Sequence, residues 1–316
     1  MYEAEIEESV KYLNSPEALS DAARDPYWPK WDSPWWHMLL LYEMGETRLI
    51  PEPLMRTFVK SLDTNLIHYF PLTEKENKEI PQRSIPCHCQ IGCVYKVLAT
   101  WGVEVDIELP WLRQWLLSYQ MADGGHSCDY EAYLVTDETP SSMVGTIHMF
   151  EALLHHTHRP FTPEEKSVLD KAAQFLISRQ LIYGSTTKQN ASERESALDW
   201  PKLCFPRYYF YDVLKGLSAL TAWSEKTKQT IPLGSIDEAL ELVRSQLIGG
   251  QLRIGRQQFP EKKTLMPTPS GEWIKPCPTT TFALLNKVSP VGEVSPYLNY
   301  EWKEIERRVL GRPVLD

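Results

Sequence analysis

Residues 85–102 read IPCHCQIGCVYKVLATWG, an apolar run that starts after a proline and ends at a glycine. Proline suits the first turn of a helix, because its missing N–H would have no helical partner there. Glycine supplies the positive φ that commonly ends a helix. The run is apolar nearly all round, so we expect a helix that is enclosed by other helices.

The same pattern recurs along the chain and predicts a set of inner helices. Their prolines are 52, 54, 66 and 72 residues apart. Amphipathic, more charged segments lie between them and predict outer helices with one face in water. The inner helices are predicted at 33–45, 85–102, 139–156, 205–223 and 277–288, and the outer ones at 3–15, 51–66, 108–120, 162–180 and 235–246. In the fourth outer segment the apolar stripe is Val168, Leu169, Ala172 and Phe175.

This alternation predicts an all-α fold of about five to six helical hairpins, closed into an (α/α) toroid or barrel. An open solenoid is the alternative. We expect one domain over residues 1–316, with a C-terminal tail at about 290–316. The outer helices share an ending in which Gln120, Gln180 or Gln246 is followed by glycine, and the Gln amide can bond backbone groups and tie hairpins together.

The segment QMADGG at 120–125 resembles the Gln…Asp-Gly-Gly element of squalene and other triterpene cyclases and of protein prenyltransferase β subunits. These families fold as (α/α) toroids. The resemblance implies an enzyme that acts on an apolar or isoprenoid-type substrate in a central aromatic-lined cavity. The chain departs from the families in having His126 where Trp or Phe is usual, and in lacking the motifs Asp-x-Asp-Asp and Asp-Asp-x-x-Asp. A carbohydrate lyase or glycosidase of the toroid class, and a non-catalytic binding or scaffold protein, are the alternatives.

Two sets of residues are predicted at the mouth of the cavity. The substrate-binding set comprises Trp35, Trp36, His37, His88, Arg207, Tyr208 and Tyr209. Aromatic rings can stabilise a cation or simply fill a core, and Arg207 can hold a phosphate or carboxylate or form an ion pair with Asp212 or Asp199. The catalytic set comprises Asp129, Tyr211 and Asp212, with Glu131 as an alternative to Asp129.

A metal site is predicted where PCHCQIGC (86–93) faces GGHSCDYE (124–131). Zinc favours thiolate and imidazole ligands in a tetrahedral arrangement. The candidate ligands are Cys87, Cys89, His126 and Cys128, with His88 as an alternative histidine. Prenyltransferase β subunits bind zinc through Asp, Cys and a distant His, and this chain does not match that set. A reactive thiol centre and buried packing are the other interpretations of the cysteines. Zinc is thus the one possible cofactor.

Composition limits the other classes of function. The formal net charge is −9 and no basic run occurs, so we expect no nucleic-acid partner. The acidic start lacks a signal-peptide pattern, and no stretch reaches the roughly 20 apolar residues of a membrane helix. We therefore expect a cytoplasmic protein with free cysteines. No phosphate loop, dinucleotide fingerprint or hydrolase elbow occurs. A small-molecule substrate is the expected partner, and the oligomeric state stays open.

Overall fold

The computed structural model describes residues 2–63, 87–232, 234–259, 266–267, 273–274 and 280–310. Apart from one short antiparallel pair, Met266–Pro267 with Trp273–Ile274, the regular structure in these ranges is helical. The helices are α1 (Glu3–Leu13), α2 (Pro16–Arg24), α3 (Pro34–Glu43), α4 (Glu52–Ser61), α5 (His88–Trp101), α6 (Val105–Glu108), α7 (Pro110–Ser118), α8 (Met143–His156), α9 (Pro163–Ser178), α10 (Glu193–Ala197), α11 (Val213–Thr227), α12 (Asp237–Arg244), α13 (Ala283–Val288) and α14 (Pro296–Leu310), with 3₁₀ turns at Thr47–Leu49 and Tyr130–Leu134.

The predicted all-α class is confirmed. The apolar helices α3, α5, α8 and α11 contact one another in chain order, and α1 contacts both α3 and α13. Every residue of α5 from His88 to Leu98 is buried. Closure of these helices into a toroid stays a prediction.

The outer helix α9 has the predicted amphipathic character. Its apolar stripe is buried, with Leu169 fully excluded from solvent. Thr162 caps the helix in a reciprocal box: its hydroxyl accepts the N–H of Glu165, and the Glu165 carboxylate accepts the N–H of Thr162. Capping and burial of one face therefore define this helix, as the sequence pattern indicates.

Two inner helices begin later than their prolines predict. Helix α11 begins at Val213 rather than near Pro206, since Tyr208 has a left-handed φ of 55° and Asp212 caps the helix by accepting the N–H of Lys215. Helix α8 begins after Ser142, whose hydroxyl accepts the N–H of Gly145. A side-chain cap therefore decides each start more strongly than the preceding proline. The predicted start of the fifth inner helix, at 277–279, lies outside the described residues.

Close packing of α5 on α8 depends on Gly92. A Cβ atom at this position would lie 2.5 Å from the carbonyl carbon of His148. The missing side chain of Gly92 therefore allows α8 to approach α5 closely. The heads of α5 and α8 are thereby held side by side.

The shared Gln ending is confirmed at one of its three positions. Gln120 Nε2 donates to Gly124 O at 2.9 Å and to Val168 O of α9 at 2.8 Å, so it ties two hairpins. Gln246 Nε2 instead donates to Leu242 O of its own helix. The segment predicted as a C-terminal tail contains α14, which packs against α11.

Within the described ranges, no helix combines the length and the apolar character that crossing a bilayer requires.

Candidate metal centre and neighbouring pocket

Three thiols meet at the head of α5. The sulfurs of Cys87, Cys89 and Cys128 all lie within 4.8 Å of one another. Cys87 Sγ is 3.1 Å from Cys89 Sγ, and the backbone N–H of Cys89 donates to Cys128 Sγ at 3.3 Å. Cys89 is buried, whereas Cys87 and Cys128 are half-buried. We call these three residues the thiol cluster, and it can hold a metal ion.

Local structure brings the cluster together. Cys87 is the N-cap of α5, so Cys89 lies in the first turn. Cys128 follows the Gly-Gly turn after α7. Its contact with Cys89 agrees with the predicted proximity of segments 86–93 and 124–131. His88 Nδ1 lies 2.8 Å from the carbonyl oxygen of Ser127, and Tyr133 Oη accepts the Ser127 N–H at 3.1 Å. These contacts fix the loop against the helix.

Electrostatics favour a thiolate at Cys87. The thiols of Cys128 and Cys89 hydrogen-bond to the Cys87 sulfur and lower its pKa well below the ordinary value. The N-terminus of α5 adds the positive end of the helix dipole. The deprotonated sulfur that a metal requires is thus stabilised before any metal binds.

The predicted ligand His126 is adjacent to the cluster but does not belong to it. The group of mutually close ligand atoms contains the three thiols and no histidine nitrogen. His126 and His88 are buried, and their ring centres are 5.0 Å apart. Neither ring nitrogen of His126 has a hydrogen-bond partner. Burial lowers the pKa of both imidazoles, which favours their neutral form.

An aromatic wall with one cation stands beside the cluster. Lys30 Nζ lies 2.8 Å from Tyr209 Oη and 4.8 Å from the centre of that ring. Burial lowers the pKa of Lys30, while Cys89 and Cys87 raise it, so the ammonium lies within electrostatic reach of the thiols. The other rings within 5.4 Å of the ammonium belong to Tyr27, Trp28 and Trp31. Lys30 was missed by sequence analysis, although its position within YWPKW was a usable signal.

Most of the predicted substrate-binding residues fill the core. Trp36 is fully buried and its Nε1 donates to the carbonyl oxygens of Tyr27 and Pro29, and Tyr208 is 1% exposed. Trp35 stacks on Phe58 at 5.2 Å. His37 stacks on Phe282 at 3.5 Å, with Nδ1 3.2 Å from Ser9 Oγ. Tyr209 is half-buried and its hydroxyl accepts a hydrogen bond from Lys30. His88 lies against the carbonyl oxygen of Ser127.

The predicted catalytic residues make structural contacts. Asp129 accepts the Glu131 N–H and the side-chain amide of Gln189. Tyr211 Oη donates to Leu181 O, and Asp212 caps α11. The alternative prediction of an ion pair is confirmed, since Arg207 Nε lies 2.8 Å from Asp212 Oδ2.

A cavity of about 670 Å³ lies between the inner helices and α14. Lys96 of α5 and Lys215 of α11 both line it. Lys96 lies seven residues after Cys89, which places it ~10 Å along the helix. The sequence feature that could have predicted this cavity is the presence of charged residues, such as Lys96 and Lys215, within otherwise apolar helices. The lining residues that matter most are Tyr42, Glu43, Lys96, Glu151, Phe205, Arg207, Lys215, Tyr297 and Glu301.

Comparison with protein-family models, curated proteins and solved structures gives no significant match. The resemblance to triterpene cyclases and prenyltransferase β subunits therefore stays a prediction. The functional proposal rests on the residues of this chain.

Proposed function

We propose that the protein is a zinc enzyme whose metal is held by the thiolates of Cys87, Cys89 and Cys128. The observation that carries this proposal is the convergence of three sulfurs to within 4.8 Å. Zn–S bonds of about 2.3 Å in tetrahedral geometry place sulfurs ~3.8 Å apart. The 3.1 Å separation of Cys87 and Cys89 needs only a small opening to match that value.

The ligand number supports a catalytic site. Structural zinc sites use four protein ligands, whereas catalytic sites use three and leave the fourth position to water or substrate. The thiol cluster supplies three ligands, and among the described residues no fourth ligand atom joins the group. Zinc bound there would act as a Lewis acid on a group in the fourth position.

The surroundings support an apolar substrate. Trp28, Tyr209 and Phe210 are half-buried, and the first two flank the Lys30 ammonium, which lies within electrostatic reach of the thiols. We propose that an apolar or isoprenoid-type substrate packs against these rings, as the resemblance to prenyltransferases implies. The interpretations as a carbohydrate-active enzyme or as a scaffold stay alternative predictions.

Metal analysis tests the proposal. Protein purified without added zinc is expected to contain zinc in equimolar amount, and Cys128→Ser is expected to lose most of it. Cys93→Ser is the matched control, because Cys93 is buried on the same helix and lies outside the cluster. Cobalt substitution is expected to give thiolate charge-transfer bands and tetrahedral d–d bands in the wild type and in Cys93→Ser, but not in Cys128→Ser.

Two results would contradict the proposal. One is substoichiometric zinc in wild-type protein that takes up neither zinc nor cobalt on addition. The other is a Cys128→Ser variant with unchanged metal content. A six-coordinate cobalt spectrum would also exclude the tetrahedral thiolate site.

A further inference from the structure

A positive cluster lines the cavity between the inner helices and α14. Lys96 Nζ lies 2.5 Å from Glu151 Oε2, and Lys215 Nζ lies 3.0 Å from the same oxygen. The three side chains are between 3% and 12% exposed. Two ammonium groups thus share the Glu151 carboxylate. Lys215 carries N–H donors beyond the one that faces Glu151, and it lines the cavity.

A negative cluster lines the same cavity. Arg207 Nε is 2.8 Å from Asp212 Oδ2, and Arg207 Nη2 is 2.7 Å from Glu301 Oε2. One guanidinium thus serves two carboxylates. Glu43 also lines the cavity, where its oxygens accept the backbone N–H groups of Arg207 and Tyr208. Burial raises the pKa of Glu43, while the charges of Lys215 and Arg207 lower it, so this carboxyl group lies within electrostatic reach of both clusters. Asp212 is fully buried, whereas Glu301 is 20% exposed and lines the cavity.

Aromatic rings line the same cavity as the two charged clusters. Phe205 stacks on Tyr297 at 4.3 Å, and Tyr42 lines the same cavity. The other charged lining residues pair mainly with residues at the rim: Arg308 with Glu225, and Glu304 with Arg307. A cavity of about 670 Å³ is in the range that holds a small organic ligand.

We propose that this cavity binds a small zwitterion of the aromatic α-amino acid class, with its carboxylate at Lys215 and its ammonium at Glu301. Such a ligand complements both clusters at once and places its ring against Tyr42, Phe205 and Tyr297. A simple anion would match the lysines but would be repelled by the carboxylates of the negative cluster. A neutral polyol would compensate neither cluster. This site is independent of the proposed zinc function.

Calorimetric titration of the purified chain with three matched probes tests the proposal. The probes are phenylalanine, 3-phenylpropanoate, which lacks the ammonium, and phenethylamine, which lacks the carboxylate. Phenylalanine is expected to bind saturably, and each single-charge probe at least about tenfold more weakly, since each leaves one charged cluster unmatched.

Two variants test which protein side chain binds each charged group of the ligand. Lys215→Met is expected to remove the preference for phenylalanine over phenethylamine, and Glu301→Gln the preference over 3-phenylpropanoate. Lys202→Met is the matched control, because Lys202 is exposed, pairs with Asp199 and does not line the cavity. Circular dichroism checks folding. If Lys215→Met fails to fold, Glu301→Gln decides, because Glu301 is partly exposed on α14.

The proposal is overturned if folded wild-type protein shows no saturable binding of phenylalanine. It is also overturned if a single-charge probe, or glucose as a neutral polyol, binds as tightly as phenylalanine. A third contrary result is a Glu301→Gln variant whose affinities for all three probes are unchanged. Metal content is measured on the same samples, so loss of this site and loss of the zinc site are distinguished.

Discussion

Lys30 joins the aromatic wall to the thiol cluster. Its ammonium is hydrogen-bonded to Tyr209 Oη and lies close enough to Cys89 and Cys87 for their charge to raise its pKa against the effect of burial. A zinc ion with three thiolates carries one net negative charge. If zinc binds as proposed, the nearby ammonium would compensate this charge in a partly desolvated place, where such compensation is strongest.

Replacement of this lysine tests its role in holding the metal. Lys30→Met is expected to weaken zinc binding by about 10–100-fold, as loss of an outer partner of metal ligands commonly does. Lys30→Arg should retain most of the affinity, because it keeps the charge. Competition with a chelator at fixed pH measures the effect, and Lys202→Met is the exposed control. Equal affinities of Lys30→Met and wild type would remove Lys30 from the site.

Glu165 is a residue whose ionisation stabilises the fold. Its carboxylate pairs with Arg159 at 2.7 Å and with Arg113 at 2.9 Å, and it accepts the Thr162 N–H. Burial raises its pKa, but the hydrogen bonds from Arg159 and Thr162 and the charge of Arg113 outweigh burial and lower the pKa to about 2. The folded pKa is below the unfolded one, so the stabilisation is complete above about pH 4.5 and is lost as the pH falls toward 2.

Glu165→Gln is therefore expected to lower the free energy of unfolding by about 1–3 kcal/mol at pH 7. The difference from wild type should shrink between pH 5 and pH 3. Urea unfolding at several pH values measures it. Glu164→Gln, on the neighbouring exposed position, should change stability by less than about 0.5 kcal/mol at any pH. A difference that is independent of pH would contradict the assigned ion pairs.

At the scale of elements, one Gln amide connects neighbouring helices. Gln120 follows α7 and bonds the turn at Gly124 and the carbonyl of Val168 in α9. This bond also braces the loop that carries Cys128. Gln246 has the same place in its hairpin but bonds only within α12 and the turn that follows it.

The pair of Gln residues makes a matched comparison. Gln120→Ala is expected to cost about 1–2 kcal/mol of folding free energy, because two hydrogen bonds from the amide, one of them between hairpins, are lost. Gln246→Ala should cost less than about 0.5 kcal/mol, since its amide joins no second helix. Thermal and urea unfolding measure both. Equal losses in the two variants would show that the inter-hairpin contact contributes nothing.

At the scale of the whole molecule, the thiol cluster links α5 to the loop after α7. A metal that binds the folded chain alone stabilises it by mass action. Free zinc at about a thousand times its dissociation constant adds ~4 kcal/mol, which corresponds to a rise in Tm of several degrees. Wild-type protein is thus expected to melt lower with a chelator than with zinc, while Cys128→Ser melts alike in both. Calorimetry with and without chelator measures the shift, and identical wild-type curves would contradict coupling of the metal to the fold.

The sequence alone determined the helical class, the alternation of enclosed and half-exposed helices, and the meeting of residues 86–93 with 124–131. These follow from apolar periodicity and from short-range spacing, which act locally. Only the tertiary structure decided which neighbours each side chain meets. Trp35, Trp36 and Tyr208 became core because other helices cover them, and Asp212 became an ion-pair partner and cap. Lys30 lies within electrostatic reach of the thiols, and Lys96 and Lys215 share the Glu151 carboxylate, because segments distant in the chain pack together. No local pattern encodes such pairings.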